Sequence, residues 1–245
     1  MINRRLGELY MKWKHIYFDL DNTLYDHEKA FKKTILHCAE KMLLNKSTSV
    51  SVEQWFNVFK SNCDQYWNAY EEGRWSRERY QVKRFCKTND YFNLTCSEEE
   101  ALEFQREYQS KVASFAELYD GVSSILSTLR DSGIELGIIT NGGQETQLAK
   151  IKALQLLQWI PHENIYISET VGIEKPNVDI FQYVLGSMGH YLYIGDTWDH
   201  DIKPAIEAGF DAIYFNSRNE AVDYSIRKDI PEILTYEELK KVLIN

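Results

Sequence analysis

Two aspartates one residue apart, Asp19 and Asp21, follow the apolar run His15-Ile16-Tyr17-Phe18 and open the segment Asp19-Leu20-Asp21-Asn22-Thr23-Leu24. Within an extended strand their side chains would point to opposite faces. Where a buried strand opens into a loop that constraint relaxes, and both carboxylates can face one pocket. One can then attack while the other moves protons, the division of labour that phosphoryl transfer requires. The same residues also read as the polar start of a loop, with Asn22-Thr23 as its turn.

Three later segments carry further chemistry: Ile138-Ile139-Thr140-Asn141-Gly142, Glu174-Lys175-Pro176 and Ile194-Gly195-Asp196-Thr197-Trp198-Asp199-His200-Asp201. Asn-Gly is a turn dipeptide, and a tight turn is what exposes backbone N–H groups to an anion. Lys175 precedes a proline and is held extended; alone, the pair reads better as surface. Asp196, Asp199 and Asp201 crowd one loop. Carboxylates about 4 Å apart repel by roughly 4 kcal/mol per pair at an effective dielectric near 20. If these acids join Asp19 and Asp21, a compensating cation is required. A hard, oxygen-ligated divalent ion fits, Mg²⁺ first.

The elements that must position these residues are five short runs rich in β-branched and aromatic residues, at 15–18, 135–139, 165–167, 191–194 and 212–215. From the second onward they alternate with helical patterns at 122–130, 145–156, 178–185 and 202–208. Continuous apolar strands separated by helices imply a parallel sheet covered on both faces, a Rossmann-like doubly wound α/β core. Asp19 and Asp21 follow the first strand, Thr140 the second and Asp196 the fourth, on the edge where open α/β sheets bind ligands. Between the first two strands lies a long insert, almost free of Gly and Pro and helical by period. Phe59, Cys63, Tyr66, Trp67 and Tyr70 recur there at helical spacing, and Ser97 with Glu100 forms a capping-box pattern.

In this order and spacing the four motifs resemble those of the haloacid dehalogenase (HAD) superfamily, from about Lys12 to the C-terminus. The resemblance implies a HAD core at 1–26 and 117–245 and an α-helical C1 cap domain at 27–116. It assigns Asp19 as nucleophile, forming an aspartyl-phosphate, and Asp21 as general acid/base. Thr140 supplies the phosphate-binding hydroxyl, Asn141 and Gly142 backbone N–H groups, and Lys175 the cation that neutralises nucleophile and phosphoryl group. The Mg²⁺ ligands would be the Asp19 and Asp196 carboxylates and the Asp21 main-chain carbonyl, with Asp201 in an outer shell near Lys175. Asp199 reads as a solvated acid at a helix start, Trp198 and His200 as packing and surface. An acid at Asp21 separates phosphotransferases from the dehalogenase branch.

Tyr66-Trp67-Asn68-Ala69-Tyr70-Glu71-Glu72-Gly73, Ser76, and the runs GIEKPNVDIF and GDTWDHDI further resemble the noncanonical pyrimidine 5′-nucleotidases. The expected activity is therefore a Mg²⁺-dependent phosphomonoesterase acting on a small metabolite, with a pyrimidine nucleoside 5′-monophosphate as the expected substrate. Rival expectations are a phosphatase of sugar phosphates or phosphoglycolate, a phosphomutase of the same fold, and a non-catalytic HAD binding domain.

A net charge of −9, with 27% charged and 44% apolar residues, argues against a nucleic-acid surface. It does not exclude small phosphorylated substrates, since a local cation can dominate a pocket. No long apolar span stands out, so no membrane partner is expected. Four cysteines without metal-like spacing point to a cytoplasmic protein with buried or incidental thiols. A monomer or homodimer is expected. The leading residues 1–10 differ from the rest, and Met11-Lys12-Trp13-Lys14 reads as the natural start, so 1–10 is expected to be a translated leader.

Overall fold

The computed structural model describes residues 12–186, 189–219 and 230–244; the expected leader, 1–10, lies outside them. Strands β1 (His15–Phe18), β2 (Glu135–Thr140), β3 (Ile165–Ile167), β4 (Tyr191–Gly195), β5 (Asp211–Phe215) and β6 (Glu232–Ile233) form one sheet. All pair in parallel, in the order β3-β2-β1-β4-β5-β6. The central strands are buried along nearly their whole length and not on alternate residues, because both faces of the sheet are covered. Ile16 of β1 sits opposite Leu136 on one side and Leu192 on the other. The doubly wound parallel core expected from the sequence is present. β6, only two residues long, is too short to show any periodicity.

The chain runs outward from β1 through β2 to β3, then returns to place β4 on the other flank of β1. Strand order reverses between β1 and β4, so the crevice beyond their carboxyl ends is a topological switch point. Asp19 and Asp196 are the first residues past these two strands.

Glu28–Phe115 form a compact unit of their own, separate from the sheet unit. It contains α1 (His27–Asn45, which begins one residue earlier), α2 (Val52–Glu71), α3 (Arg77–Tyr91) and α4 (Glu98–Lys111). Three serines start its helices: Ser51 and Ser97 close capping boxes with Gln54 and Glu100, and Ser76 accepts from Arg79 N. Its core is aromatic. Trp55, fully buried, stacks on Phe59 at 4.9 Å and meets Phe85 and Phe104 at 5.9 and 5.5 Å. The Trp55 indole donates to Asn89 at 3.2 Å, meeting the polar demand that burial of this ring creates. Cys38 and Cys63 are buried free thiols, whereas Cys86 and Cys96 form a disulfide between α3 and the residue before the α4 cap. Their spacing of ten residues carried no sign of it; the turn after α3 brings their Cα atoms to 5.5 Å.

In the sheet unit α5 (Val122–Asp131), α6 (Gln144–Ala153), α7 (Ser168–Val171), α8 (Asp179–Val184), α9 (Lys203–Ala208) and α10 (Tyr236–Ile244) complete the chain. On one face Ile180, Phe181 and Val184 of α8 and Ala205 of α9 pack on Tyr17, Ile139 and Tyr193. Burying a ring such as Phe181 is worth roughly 1.5–3 kcal/mol. No helix among the described residues is long and apolar enough to cross a membrane.

Candidate active site

Asp19, Asp21, Thr140 and Asp196 are delivered by strand ends, Lys175 by the loop between α7 and α8, and Asp201 by the turn after β4. Asp19 continues the β1–β4 pairing by one residue, its N–H donating to Ile194 O at 2.9 Å. Its carboxylate is only 7% exposed and sits 2.6 Å from Lys175 Nζ. Lys175 Nζ also lies 2.5 Å from Asp201 Oδ1 and 3.0 Å from the Tyr193 hydroxyl. That hydroxyl is in turn 3.1 Å from Asp201 Oδ1 and 3.0 Å from the Ile139 carbonyl.

Asp201 reaches this cluster because the chain makes a π-helical turn at Trp198–Ile202, with the Asp201 and Ile202 N–H groups both donating to Thr197 O. Its Oδ2 accepts from Thr197 N at 3.0 Å. The approach is close enough that a Cβ at Gly195 would lie 2.5 Å from Asp201 Cβ, so only glycine fits there. Asp196, 6% exposed, accepts Arg218 Nη2 at 2.9 Å. Asp199 is exposed; Trp198 is half-buried, edge-on to Tyr214 at 5.8 Å.

One oxygen each from Asp19, Asp196 and Asp201 lies within 4.8 Å of the others. Electrostatics follow from this crowding. Burial pushes the Asp19 carboxyl up to about 7, Lys175 opposes it, and the charges of Asp201 and Asp21 add to it. Burial, then Asp201 and Asp19, hold Asp196 well above the carboxylate range against Arg218 and Lys175. For Lys175 burial favours loss of the proton, but Asp19 and Asp201 outweigh it and raise its pKa. Three buried carboxylates share two cations, Lys175 and Arg218, and a divalent cation held by oxygens fits the donor set that remains.

Asp21 stands in a second cluster. Lys150 Nζ lies 2.7 and 2.9 Å from its two oxygens, Gln147 Nε2 donates to Oδ2 at 2.9 Å, and the Tyr25 hydroxyl donates to Oδ1. His27 Nδ1 is 3.3 Å from Oδ1. Burial would raise the Asp21 carboxyl, but Lys150 and then His27 outweigh it and hold it well below the usual range. His27 is itself lowered to about 4, by burial first, with Asp21 opposing.

Thr140, buried at the end of β2, accepts from Gln147 Nε2 at 2.7 Å. Asn141 clamps the backbone of Lys175: Oδ1 accepts from its N–H at 2.9 Å and Nδ2 donates to its carbonyl at 2.8 Å. Gly142 has φ +144°, and a Cβ there would meet the Gln147 side chain at 3.0 Å. Its N–H donates to Ser168 Oγ at 3.0 Å, so a phosphate oxygen binding there would displace that hydroxyl.

The structure thus gathers Asp19, Lys175, Asp196 and Asp201 directly, and joins Asp21 to Thr140 through Gln147. Sequence reasoning missed Tyr193, Ser168, Arg218, Tyr25, His27, Gln147 and Lys150. One signal was available: Gln147 and Lys150 stand three apart on the helix that follows Thr140, hence on one face.

Residues 16–215 match the family model for haloacid dehalogenase-like hydrolases. Among curated proteins the chain is 25% identical over 236 residues to the HAD-hydrolase YfnB of Bacillus subtilis, covering 94% of this chain and 93% of that protein. It is 27% identical over 214 residues to the pyrimidine 5′-nucleotidase YjjG of Escherichia coli (85% and 88% covered). It is 26% identical over 247 residues to a glyceraldehyde 3-phosphate phosphatase of Methanothermobacter thermautotrophicus (94% and 99% covered). A crystal structure of YfnB bound to magnesium superposes with a TM-score of 0.79 at 24% identity, covering 95% of this chain and 99% of that one.

Proposed function

The chain belongs to the haloacid dehalogenase-like hydrolase family, and from that premise we propose a Mg²⁺-dependent phosphomonoesterase that works through an aspartyl-phosphate and prefers pyrimidine nucleoside 5′-monophosphates. One observation carries the phosphatase reading: a buried carboxylate at a strand end, Asp19, held by Lys175 beside further acids, with a second acid two residues on in its own set of donors.

An Asp19 oxygen attacks phosphorus, and the bond from phosphorus to the ester oxygen breaks. Asp21, kept ionised by Lys150 and His27, takes up a proton from solvent and passes it to that leaving oxygen. Asp21 then takes a proton from water as the water oxygen attacks phosphorus, the Asp19–phosphorus bond breaks, and inorganic phosphate leaves. Thr140 and the amides of Asn141 and Gly142 hold phosphoryl oxygens, and Lys175 keeps the nucleophile oriented and offsets its charge. Asp19, Asp196 and the main-chain carbonyl of Asp21 would hold Mg²⁺, with Asp201 bound to Lys175 outside them. Bound there, the ion supplies charge neutralisation for the phosphoryl oxygens.

The nucleotide preference draws on the likeness to YjjG and on the insert's aromatic residues. Of Trp55, Tyr66, Trp67, Tyr70 and Trp75, Trp67 is the exposed one, at 42%. Its ring stands steeply to those of Tyr70 and Tyr80, at 64° and 77°, and stacking of an exposed indole on a base is worth roughly 1–3 kcal/mol. A second reading, glyceraldehyde 3-phosphate as substrate, rests on the longer match to the archaeal phosphatase, 247 residues against 214 for YjjG.

A side-by-side kcat/KM panel with Mg²⁺ separates them. UMP or dTMP is expected to exceed glucose 6-phosphate, phosphoglycolate and glyceraldehyde 3-phosphate. A tenfold advantage for any of the latter three refutes the nucleotidase reading and leaves the phosphatase intact; no phosphate release from any of them, nor from an aryl phosphate, refutes both.

A further inference from the structure

Two lysines serve the two acids: Lys175 holds Asp19, and Lys150 holds Asp21. Lys150 lies on α6 and is only 4% exposed. Taking an ammonium out of water costs several kcal/mol, and a buried ion pair can often be replaced by apolar side chains without loss of stability. Stability alone therefore does not account for a lysine here. Its contacts show what it does. It engages both oxygens of Asp21, at 2.7 and 2.9 Å, and donates to Gln147 Oε1 at 2.7 Å. Gln147, 2% exposed, directs its Nε2 to Asp21 Oδ2 at 2.9 Å and to Thr140 Oγ1 at 2.7 Å. One helical face thus spans the two acceptors, Asp21 from the end of β1 and Thr140 from the end of β2.

We propose that Lys150 and Gln147 are positioning residues, which hold the Asp21 carboxylate in one rotamer at a fixed distance from the Thr140 hydroxyl. The inference rests on the phosphomonoesterase reading, in which Asp21 passes a proton to the leaving oxygen. An aspartate side chain at a loop start has free rotation about two bonds. Three donors make four hydrogen bonds to its two oxygens and remove that freedom, with Lys150 spanning both oxygens, Tyr25 on Oδ1 and Gln147 tying the carboxylate to the phosphate-binding turn. Misplacement of about 1 Å can cost on the order of 100-fold in rate, so a loose Asp21 would lose most of its general-acid contribution, itself roughly 10²–10⁴-fold.

The leaving group provides a readout that a merely structural role would not move. A nitrophenolate departs with little help from an acid, whereas an alkoxide must be protonated. Lys150→Met is expected to lower kcat/KM on UMP, or on the alkyl phosphate the panel ranks first, about tenfold more than on p-nitrophenyl phosphate. Lys150→Arg, which keeps a cation with paired donors, should restore most of the difference. Asp21→Asn is the reference and should show the same split, larger. If Lys150→Met fails to fold by circular dichroism, Gln147→Leu takes its place, with a smaller split of the same sign.

Equal losses on the two substrates from the folded variant, beside a split from Asp21→Asn, overturn the positioning role and leave the phosphatase reading standing. Absence of a split from Asp21→Asn itself removes Asp21 as the acid, and the role of Lys150 with it.

Discussion

Replacing Lys175 with methionine removes the cation from the centre of the buried acids while keeping a side chain of similar length. Its contacts to Asp19 and Asp201 are 2.6 and 2.5 Å. At an effective dielectric near 20 each such contact carries about 6 kcal/mol of Coulomb attraction, much of it offset by the cost of burying the charges. Removing one partner of a buried pair costs roughly 3–5 kcal/mol if the other stays charged. Asp19 need not stay charged. Its carboxyl stands at about 7 with Lys175 beside it, and loss of Lys175 moves it higher. A carboxyl raised in the folded state stabilises the fold at low pH, and that contribution is lost as pH rises through the folded value. In the variant the loss continues beyond pH 7, at about 1.4 kcal/mol per pH unit for one retained proton, whereas the wild type, with Asp19 half-titrated at pH 7, loses only about 0.4 kcal/mol more. Between pH 7 and 8.5 the stability gap should therefore widen by about 1.6 kcal/mol, or roughly 3–6 °C in Tm for a chain of this size. Thermal melts in EDTA at pH 6, 7 and 8.5 measure it. At saturating Mg²⁺, kcat should fall by about 10²–10³-fold, the loss typical of one preorganised charge-stabilising group. A gap that is constant or narrows with pH, or a kcat within tenfold of wild type, would refute the electrostatic role given to Lys175.

Asp196→Ala should weaken Mg²⁺ binding, so that activity returns, if at all, only at high metal concentration; an unchanged Mg²⁺ titration rules Asp196 out as a ligand. EDTA should silence the wild type, and Ca²⁺ should support it poorly because its looser coordination misplaces the nucleophile; equal rates with the two ions count against that geometry. Since Asp19 holds a proton up to about 7 and Asp196 is raised as well, metal must displace protons. Mg²⁺ affinity should accordingly climb as pH rises from 5.5 toward 7, by up to about tenfold per unit for each proton released. Calorimetric titration at several pH values reads this, and a flat Kd contradicts it.

Much of the core was legible because its strands are short, apolar and buried on both faces, so that the sequence signal is continuous composition rather than a delicate period. Asp19, Asp21, Thr140 and Asp196 could be placed because each stands where such a strand ends. The electrostatic partners were not legible. Lys150 and Gln147 sit on a helix whose other residues are mixed in polarity, and only the fold shows that their face is turned inward. Tyr193 reads as one more strand aromatic until Lys175 and Asp201 are seen to share its hydroxyl. Trp67 shares the helical spacing of its neighbours Phe59 and Cys63 yet remains exposed, because a period of 3.6 residues marks a stripe and not its edges. The Cys86–Cys96 disulfide depends on the path of a turn, which spacing alone does not encode.

The central claim is that Asp19 becomes phosphorylated during turnover. Acid quenching of the Mg²⁺-loaded enzyme at millisecond times, followed by peptide mapping by mass spectrometry, tests it directly. A phosphoryl adduct, labile to hydroxylamine, is expected on the peptide that carries Asp19. It should accumulate in Asp21→Asn when an aryl phosphate is used and be absent from Asp19→Asn. An enzyme that turns over with no adduct at any quench time, an adduct on another residue, or an Asp19→Asn variant that keeps more than about a tenth of wild-type kcat, a barrier change below roughly 1.4 kcal/mol, would contradict it.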